Sequence, residues 1–499
     1  MVQARHSLWQ EKAAQPTYPT LEDNRHFDVV VIGAGITGLT TALLLKRQGS
    51  RVAVLESGRV ASGATGLNTG KVSALQSTVY SSIQSHRGDQ AAETYAAASM
   101  AAVDKVADIA DSESISCDLR RRHAYTYATD DSELRSVERE FETAQSAGLP
   151  VEFEREIDLP FPVKGAVGLA DQLEFNPVRY AAGLAAAVHG DDCAIFENTR
   201  AIALSEGTPC GVQTTRGRIT ADQVVVATHY PIFDRGLYFA RLEPKRSYCI
   251  AARTSDEPPR GLSINPGNPT RSLRSYEGQL VVCGEGHATG ARGISETRYE
   301  RLEEFARKHW NVEEITHRWS AQDPTPYDHF PMIGAYTPVA SRVYTATGFM
   351  KWGLSGGTFA AMLLADLISG RENPWAEAFS PTRISAKSSA SLARINFGVG
   401  VDFVADRFAP GQSEEAEEVA RGQARIVRQD GEPNGVYRDQ DGLLHVVSLR
   451  CTHLGCLLRF NGAELSWDCP CHGSRFDVDG DVLEGPAVRP LKKPHEEQS

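Results

Sequence analysis

At 499 residues the chain has room for two or three domains of about 150 residues each, and 41% hydrophobic with 23% charged residues is the composition of a folded globular protein. These values exclude a small disulfide scaffold, a fibrous chain and a disordered one. A net charge of −12 opposes attraction to nucleic-acid phosphates or anionic lipid, so nucleic acid is not an expected partner.

No stretch reaches the ~18 apolar residues of a membrane helix. Residues 1–26 carry Arg5, Glu11, Lys12, Glu22, Asp23 and Arg25 without the apolar core of a secretory signal, so they read as an N-terminal extension and the location as cytoplasmic.

From Phe27 the pattern sharpens. The apolar run Val29 to Ile32 leads into Gly33-Ala34-Gly35-Ile36-Thr37-Gly38, a helical stretch follows to Lys46, and a second strand, Val52 to Leu55, ends in Glu56. This is a βαβ unit with a dinucleotide fingerprint: Gly33 for the turn, Gly35 for close approach of a pyrophosphate, Gly38 for helix–strand packing, and Glu56 for a ribose hydroxyl. A later Gly284-Glu285-Gly286 reads as a strand end and turn in another sheet, because no strand with a terminal acid follows it. Asp222 to Thr228 reads as a buried strand, residues 80–150 as helical, 235–290 as sheet, and Ser355 to Ser369 as a helix.

Several ordered segments carry a resemblance: VVVIGAGITGLTTALLLKRQGSRVAVLE (29–56), SGATGLNTGK (62–71), Phe175-Asn176-Pro177, VVVATHYP (224–231), Asp328 to Gly334 and TGFMKWGLSGG (347–357). They resemble the D-amino-acid oxidase and glycine/sarcosine oxidase superfamily of FAD enzymes. The resemblance implies FAD lying with its adenosine near Glu56 and Ser57. It places Gly33, Gly35, Ile36, Thr37, Gly38, Thr65, Gly66, Asn68, Thr69, Gly70, Lys71, Ala201, Thr228, Gly348, Lys351, Trp352, Gly353 and Leu354 among the cofactor residues. A helix starting near Gly353 would aim its N-terminus at the flavin, where a positive dipole stabilises the reduced ring. Lys71, Lys351, Tyr248, Arg274 and His329 are the catalytic candidates, with Arg246, Tyr276 and Tyr327 as further substrate-pocket candidates.

The tail, 413–499, has 10 Lys+Arg against 16 Asp+Glu and reads as a separate acidic unit. It holds Cys451-Thr452-His453-Leu454-Gly455-Cys456 and Cys469-Pro470-Cys471-His472-Gly473-Ser474. Two Cys and two His first invite a structural zinc site. Each arm, however, supplies one thiolate, one imidazole and an extra Cys, and the motifs resemble the disulfide-containing branch of the Rieske family. That resemblance implies a [2Fe–2S] cluster with Cys451 and Cys469 on one iron, His453 and His472 on the other, and a disulfide between Cys456 and Cys471. Ser474 would donate to a cluster sulfide, and Phe476 stands where many members have a donating Tyr, which lowers the expected potential.

The combined expectation is α/β plus β: a Rossmann-like FAD-binding domain (27–80, 150–235, 325–380) interrupted by an α+β substrate domain (81–149, 236–324), then a linker with a docking helix (381–412) and a small all-β Rieske domain (413–499). The expected function is oxidation of a C–N bond in an amine or N-substituted amino acid. Electrons would pass through the cluster to an external acceptor: a carrier protein, a quinone or O2. Acidic residues at 414–418 and 477–484 would dock a basic carrier. The alternative is an electron-transfer component with no small organic substrate.

Overall fold

The computed structural model describes residues 6–11, 16–233, 235–383, 388, 391–397, 418–429 and 431–493. The apolar run after Arg25 forms the strand Arg25–Ile32, which pairs in parallel with Val52–Leu55 on one side and Arg218–Val226 on the other. Ala194–Phe196 and Val343–Thr347 extend this parallel sheet outward, and Met332–Ala335 closes it antiparallel. Its strands are buried on both faces, as their unbroken apolar sequence demands. Helices Ile36–Arg47 and Gly353–Ile368 pack together on one face.

A second sheet of nine strands runs in the order Val312–Pro326, Leu242–Thr254, Gln279–Ala288, Arg271–Tyr276, Leu262–Ile264, Arg120–Ala128, Gly165–Glu174 and Lys71–Val72, with Glu152–Glu154 on Gly165–Glu174. Two expectations change here. Glu152–Glu154 and Gly165–Glu174, expected with the nucleotide sheet, pair instead into this second sheet. Helices Val79–Arg87 and Asp89–Ser112, expected with the substrate domain, bury Tyr80, Ile83, Tyr95, Ala102 and Val106 in the core shared with Ile36–Arg47 and Gly353–Ile368. The helical spacing of these residues was readable, but the surface they cover is set by distant chain.

The C-terminal region is two small antiparallel sheets, Ala424–Gln429/Glu432–Arg438/Leu444–Ser448 and Arg459–Asn461/Ser466–Asp468/Arg475–Phe476/Val482–Glu484. Leu449, Leu458, Trp467 and Phe476 fill the space between them. Of the expected linker, residues 384–387, 389–390 and 398–412 lie outside the described residues, as do 413–417 with their acidic positions. Residues 391–397 are helical, with Leu392 and Ile395 packed on the cluster containing Tyr230 and Tyr238. No helix among the described residues is long and apolar enough to cross a membrane.

Candidate flavin cavity and iron–sulfur site

A cavity of about 380 Å³ opens where the parallel strands end. Gly33, Gly35, Ile36, Thr37, Glu56, Ser57 and Ala201 line one part of it, and Thr65, Asn68, Thr69, Lys71, Thr228, Lys351, Trp352, Gly353 and Leu354 another. Gly33 has φ +109°, and a Cβ there would lie 2.5 Å from the Ala227 carbonyl oxygen, so only glycine makes this turn. Glu56 accepts from the Ala34 N–H at 2.9 Å, which fixes the acid beside the glycine turn. Four predicted cofactor residues pack beneath the wall. A Cβ at Gly38 would meet the Gly33 carbonyl oxygen at 2.0 Å, at Gly66 the Ala61 oxygen at 2.2 Å, at Gly70 Arg274 at 2.4 Å, and at Gly348 Pro326 at 2.4 Å.

Helix Gly353–Ile368 starts at the cavity without a side-chain cap, leaving its first N–H groups and positive dipole end directed there. Two lysines face the same space. Lys71 Nζ donates to the Ser263 carbonyl at 3.0 Å and to Ser272 Oγ at 2.7 Å; burial, then Arg274, holds its pKa well below that of an ordinary lysine. Lys351 sits in left-handed backbone (φ +75°), reachable through the cavity yet enclosed by protein, and burial lowers its pKa against the pull of Asp323. Asp323 was missed by sequence reasoning. It lines the cavity, its Oδ1 has no hydrogen-bond partner among the described residues, and burial raises its pKa against the opposing effects of His229 and Lys351.

The other catalytic candidates lie outside this lining, and each is held by a partner that sequence proximity does not reveal. Arg274 donates to the Thr69 carbonyl at 2.7 Å and pairs with Glu174 at 3.2 Å. Tyr248 is fully buried, with its hydroxyl 3.0 Å from His287 Nε2. His329 stacks on His86, and burial with that neighbour pushes its pKa down to about 4. Of the pocket candidates, Tyr276 donates to Asp118 at 2.7 Å, Tyr327 lies under Arg241, and Arg246 turns away to the iron–sulfur region.

The N-terminal extension also has a place. Trp9, wholly buried, donates through Nε1 to the Asn68 carbonyl at 2.7 Å, and Ser7 Oγ donates to the Gly66 carbonyl at 2.5 Å, bracing the 65–71 segment from behind.

In the tail, Cys451 and Cys469 are buried and unbridged. The His453 and His472 rings lie 5.0 Å apart, and Cys456 and Cys471 form a disulfide joining the two loops. Backbone N–H groups of His453 and Leu454 point at the Cys451 sulfur, those of Cys471 and His472 at the Cys469 sulfur, and the Ser474 hydroxyl at Cys451. Two thiolates cradled by amides and two clustered imidazoles are the donor set of a Rieske [2Fe–2S] centre.

The two sites share a wall. Gln322, which lines the flavin cavity, donates through Nε2 to the carbonyl of Gly473 at 2.8 Å, next to His472, while Thr289 fixes its Oε1 at 2.7 Å. Leu483, Glu484, Gly485 and Val488 of the tail also line the cavity. Arg246, 1% exposed, reaches Glu464 at 3.5 Å and Glu484 at 3.4 Å, and Arg475 pairs with Asp468 at 2.9 Å and with Glu484 at 3.3 Å.

Fold and site together define an FAD-dependent oxidoreductase carrying an iron–sulfur centre. The chain belongs to the FAD dependent oxidoreductase family of the D-amino-acid oxidase type, whose model matches residues 28–367, and a Rieske [2Fe-2S] domain model matches 412–495. It is 32% identical to the Rieske 2Fe-2S iron-sulfur protein YhfW of Bacillus subtilis (strain 168) over 98% of both chains. Its tail is 46% identical to cytochrome b6-f complex iron-sulfur subunit 2 of Trichormus variabilis over 67 residues, 13% of this chain and 38% of that one. Glycine oxidase from Geobacillus kaustophilus shares the fold with a TM-score of 0.62 at 20% identity, covering 72% of this chain and 99% of that one. L-proline dehydrogenase from P. horikoshii does so with a TM-score of 0.59 at 19% identity, covering 73% of this chain and 98% of that one. FAD and a [2Fe–2S] cluster are therefore the cofactors of this chain.

Proposed function

We propose that the chain oxidises a C–N bond of an amine or N-substituted amino acid in the cytoplasm, and that the electrons leave through the Rieske cluster to an external acceptor. The observation that carries this reading is the Gln322–Gly473 hydrogen bond, which joins the cavity wall to the loop of a cluster ligand. FAD, when bound, supplies the hydride acceptor. The protein's own part is to bind, orient and deprotonate. Asp323, with an oxygen left without a partner, accepts N–H groups of the substrate amine and takes up its proton, because the lone-pair form is the one that is oxidised. Lys351 and Lys71 present amine donors for a substrate carboxylate, so the cavity offers donors for one end of an amino acid and the Asp323 acceptor for the other. The fold neighbours glycine oxidase and L-proline dehydrogenase support this substrate class by name. Asp479 and Asp481 remain exposed for a basic carrier, whereas Glu484 is turned inward to Arg246 and Arg475.

The test is an anaerobic titration with a panel of amines and N-methyl amino acids, following flavin absorbance and the cluster EPR signal together. The expected outcome is bleaching by one compound with the reduced-cluster signal growing in step. Reduction of both centres by dithionite but by no amine would overturn the C–N reading and favour an electron-transfer component.

A further inference from the structure

We infer that Cys249 and Cys283 form a redox-active pair in the wall of the flavin cavity, exchanging two electrons with the bound cofactor. This goes beyond the oxidation proposed above and requires no amine substrate. The two residues are directly opposed on the antiparallel strands Leu242–Thr254 and Gln279–Ala288, with Cα atoms 4.1 Å apart, and are joined as a disulfide. Both border the cavity that holds the dinucleotide fingerprint.

The sheet register makes this more than a buried cross-link. Opposed residues share a face of an antiparallel sheet, and Trp319, Cys249, Cys283 and Ser272 form one row across four strands. Ser272 Oγ accepts from Lys71 Nζ at 2.7 Å, so the lysine amine is held by the residue directly opposite Cys283 in the sheet. A lysine close to a cysteine favours its thiolate, and a buried amine with a lowered pKa is placed to pass a proton to and from it. A brace is not needed at this point, because both strands are already hydrogen-bonded to neighbours on each edge.

The balance is simple. The disulfide takes two electrons and two protons; the S–S bond breaks, two S–H bonds form, and the reduced dinucleotide cofactor that supplied the electron pair returns to its oxidised form. Lys71, through the Ser272 hydroxyl, holds the proton for Cys283. The pair thereby stores two electrons in a chain whose cluster accepts them one at a time.

The experiment is an anaerobic dithionite titration of the holoprotein and of C249S/C283S, read by flavin absorbance, cluster EPR and mass spectrometry after alkylation under denaturing conditions. Wild type is expected to take up about five electrons per chain against about three for the variant, a loss of two, with both showing the same flavin and cluster signals. Reduction of Cys456–Cys471 would add equally to both, so the difference is the readout. Cys249 and Cys283 become alkylated in wild type only after reduction, and K71M leaves them bonded at a dithionite dose that opens the wild-type pair. The proposal is overturned if the pair stays bonded once flavin and cluster are reduced, or if both residues are alkylated before any reductant is added. The wild-type alkylation result stands even where the double variant fails to fold.

Discussion

Burial decides what several titratable side chains do, and His329 is the clearest case. It occupies left-handed backbone (φ +52°), is stacked on His86, and has its pKa pushed down to about 4 by burial and then by His86 and Lys245. The unfolded chain binds a proton at this histidine below its ordinary value of 6.5, while the folded chain does not until about 4. The unfolded state thus holds more protons in that window, and stability falls as pH drops from 6.5 toward 4. His329→Asn keeps a residue that tolerates positive φ and removes the titration. Relative to wild type, it should gain on the order of 3 kcal/mol on going from pH 7 to pH 4, read by urea unfolding at each pH. At residue scale, then, His329 is a neutral packing group, and the motif position that drew attention to it reports a turn.

At the scale of elements, strand Leu242–Thr254 serves both halves of the molecule. Alternation along it sends Lys245, Ser247 and Cys249 to the cavity, while Arg246 and Tyr248 meet the tail. The Arg246 guanidinium donates to Ser320 at 2.7 Å and neutralises Glu464 and Glu484, which are drawn in from separate turns and strands of the iron–sulfur region. Removing the cation leaves Glu464 to the Tyr299 hydroxyl and Glu484 to Arg475 in a poorly solvated interface, and breaking such a pair costs about 3 kcal/mol or more. Arg246→Met should therefore lower the unfolding free energy by that amount, read as a lower denaturant midpoint at unchanged slope, and open the tail to limited proteolysis, with R246K recovering part of the loss. Arg246, a substrate-pocket candidate in the sequence, thus binds carboxylates of its own chain.

For the whole molecule, the consequence of this interface is a fixed relation between two redox sites. Glycines enforce it: a Cβ at Gly290 would lie 2.5 Å from the Pro470 backbone, and one at Gly473 would lie 2.5 Å from the Pro244 ring, so the two parts meet with no room for a side chain between them. Phe239 lies against both cluster histidine rings, 5.2 Å from His472 and 6.3 Å from His453. Losing the cluster should separate the two functions. Cys469→Ser is expected to abolish the Rieske EPR signal while FAD stays bound and the active amine still bleaches it; turnover with a one-electron carrier should fall at least about tenfold. Unchanged carrier reduction in that variant would show that electrons leave by another route.

What the sequence determined by itself was the chemistry that local spacing encodes. A glycine turn between strand and helix, an acid at the next strand end, and two short Cys/His arms each place their groups within a few residues, so their types and intervals suffice. Tertiary structure decided everything that depends on register between distant strands. It set Cys249 against Cys283, turned Asp323 into the cavity, brought Trp9 behind Asn68, and moved Arg274 and Tyr248 out of the site. The physical reason is that a side chain's face follows from its strand's alternation, but its neighbour follows from which strand pairs with it, and the long-range ladder that sets this leaves no mark on either segment alone.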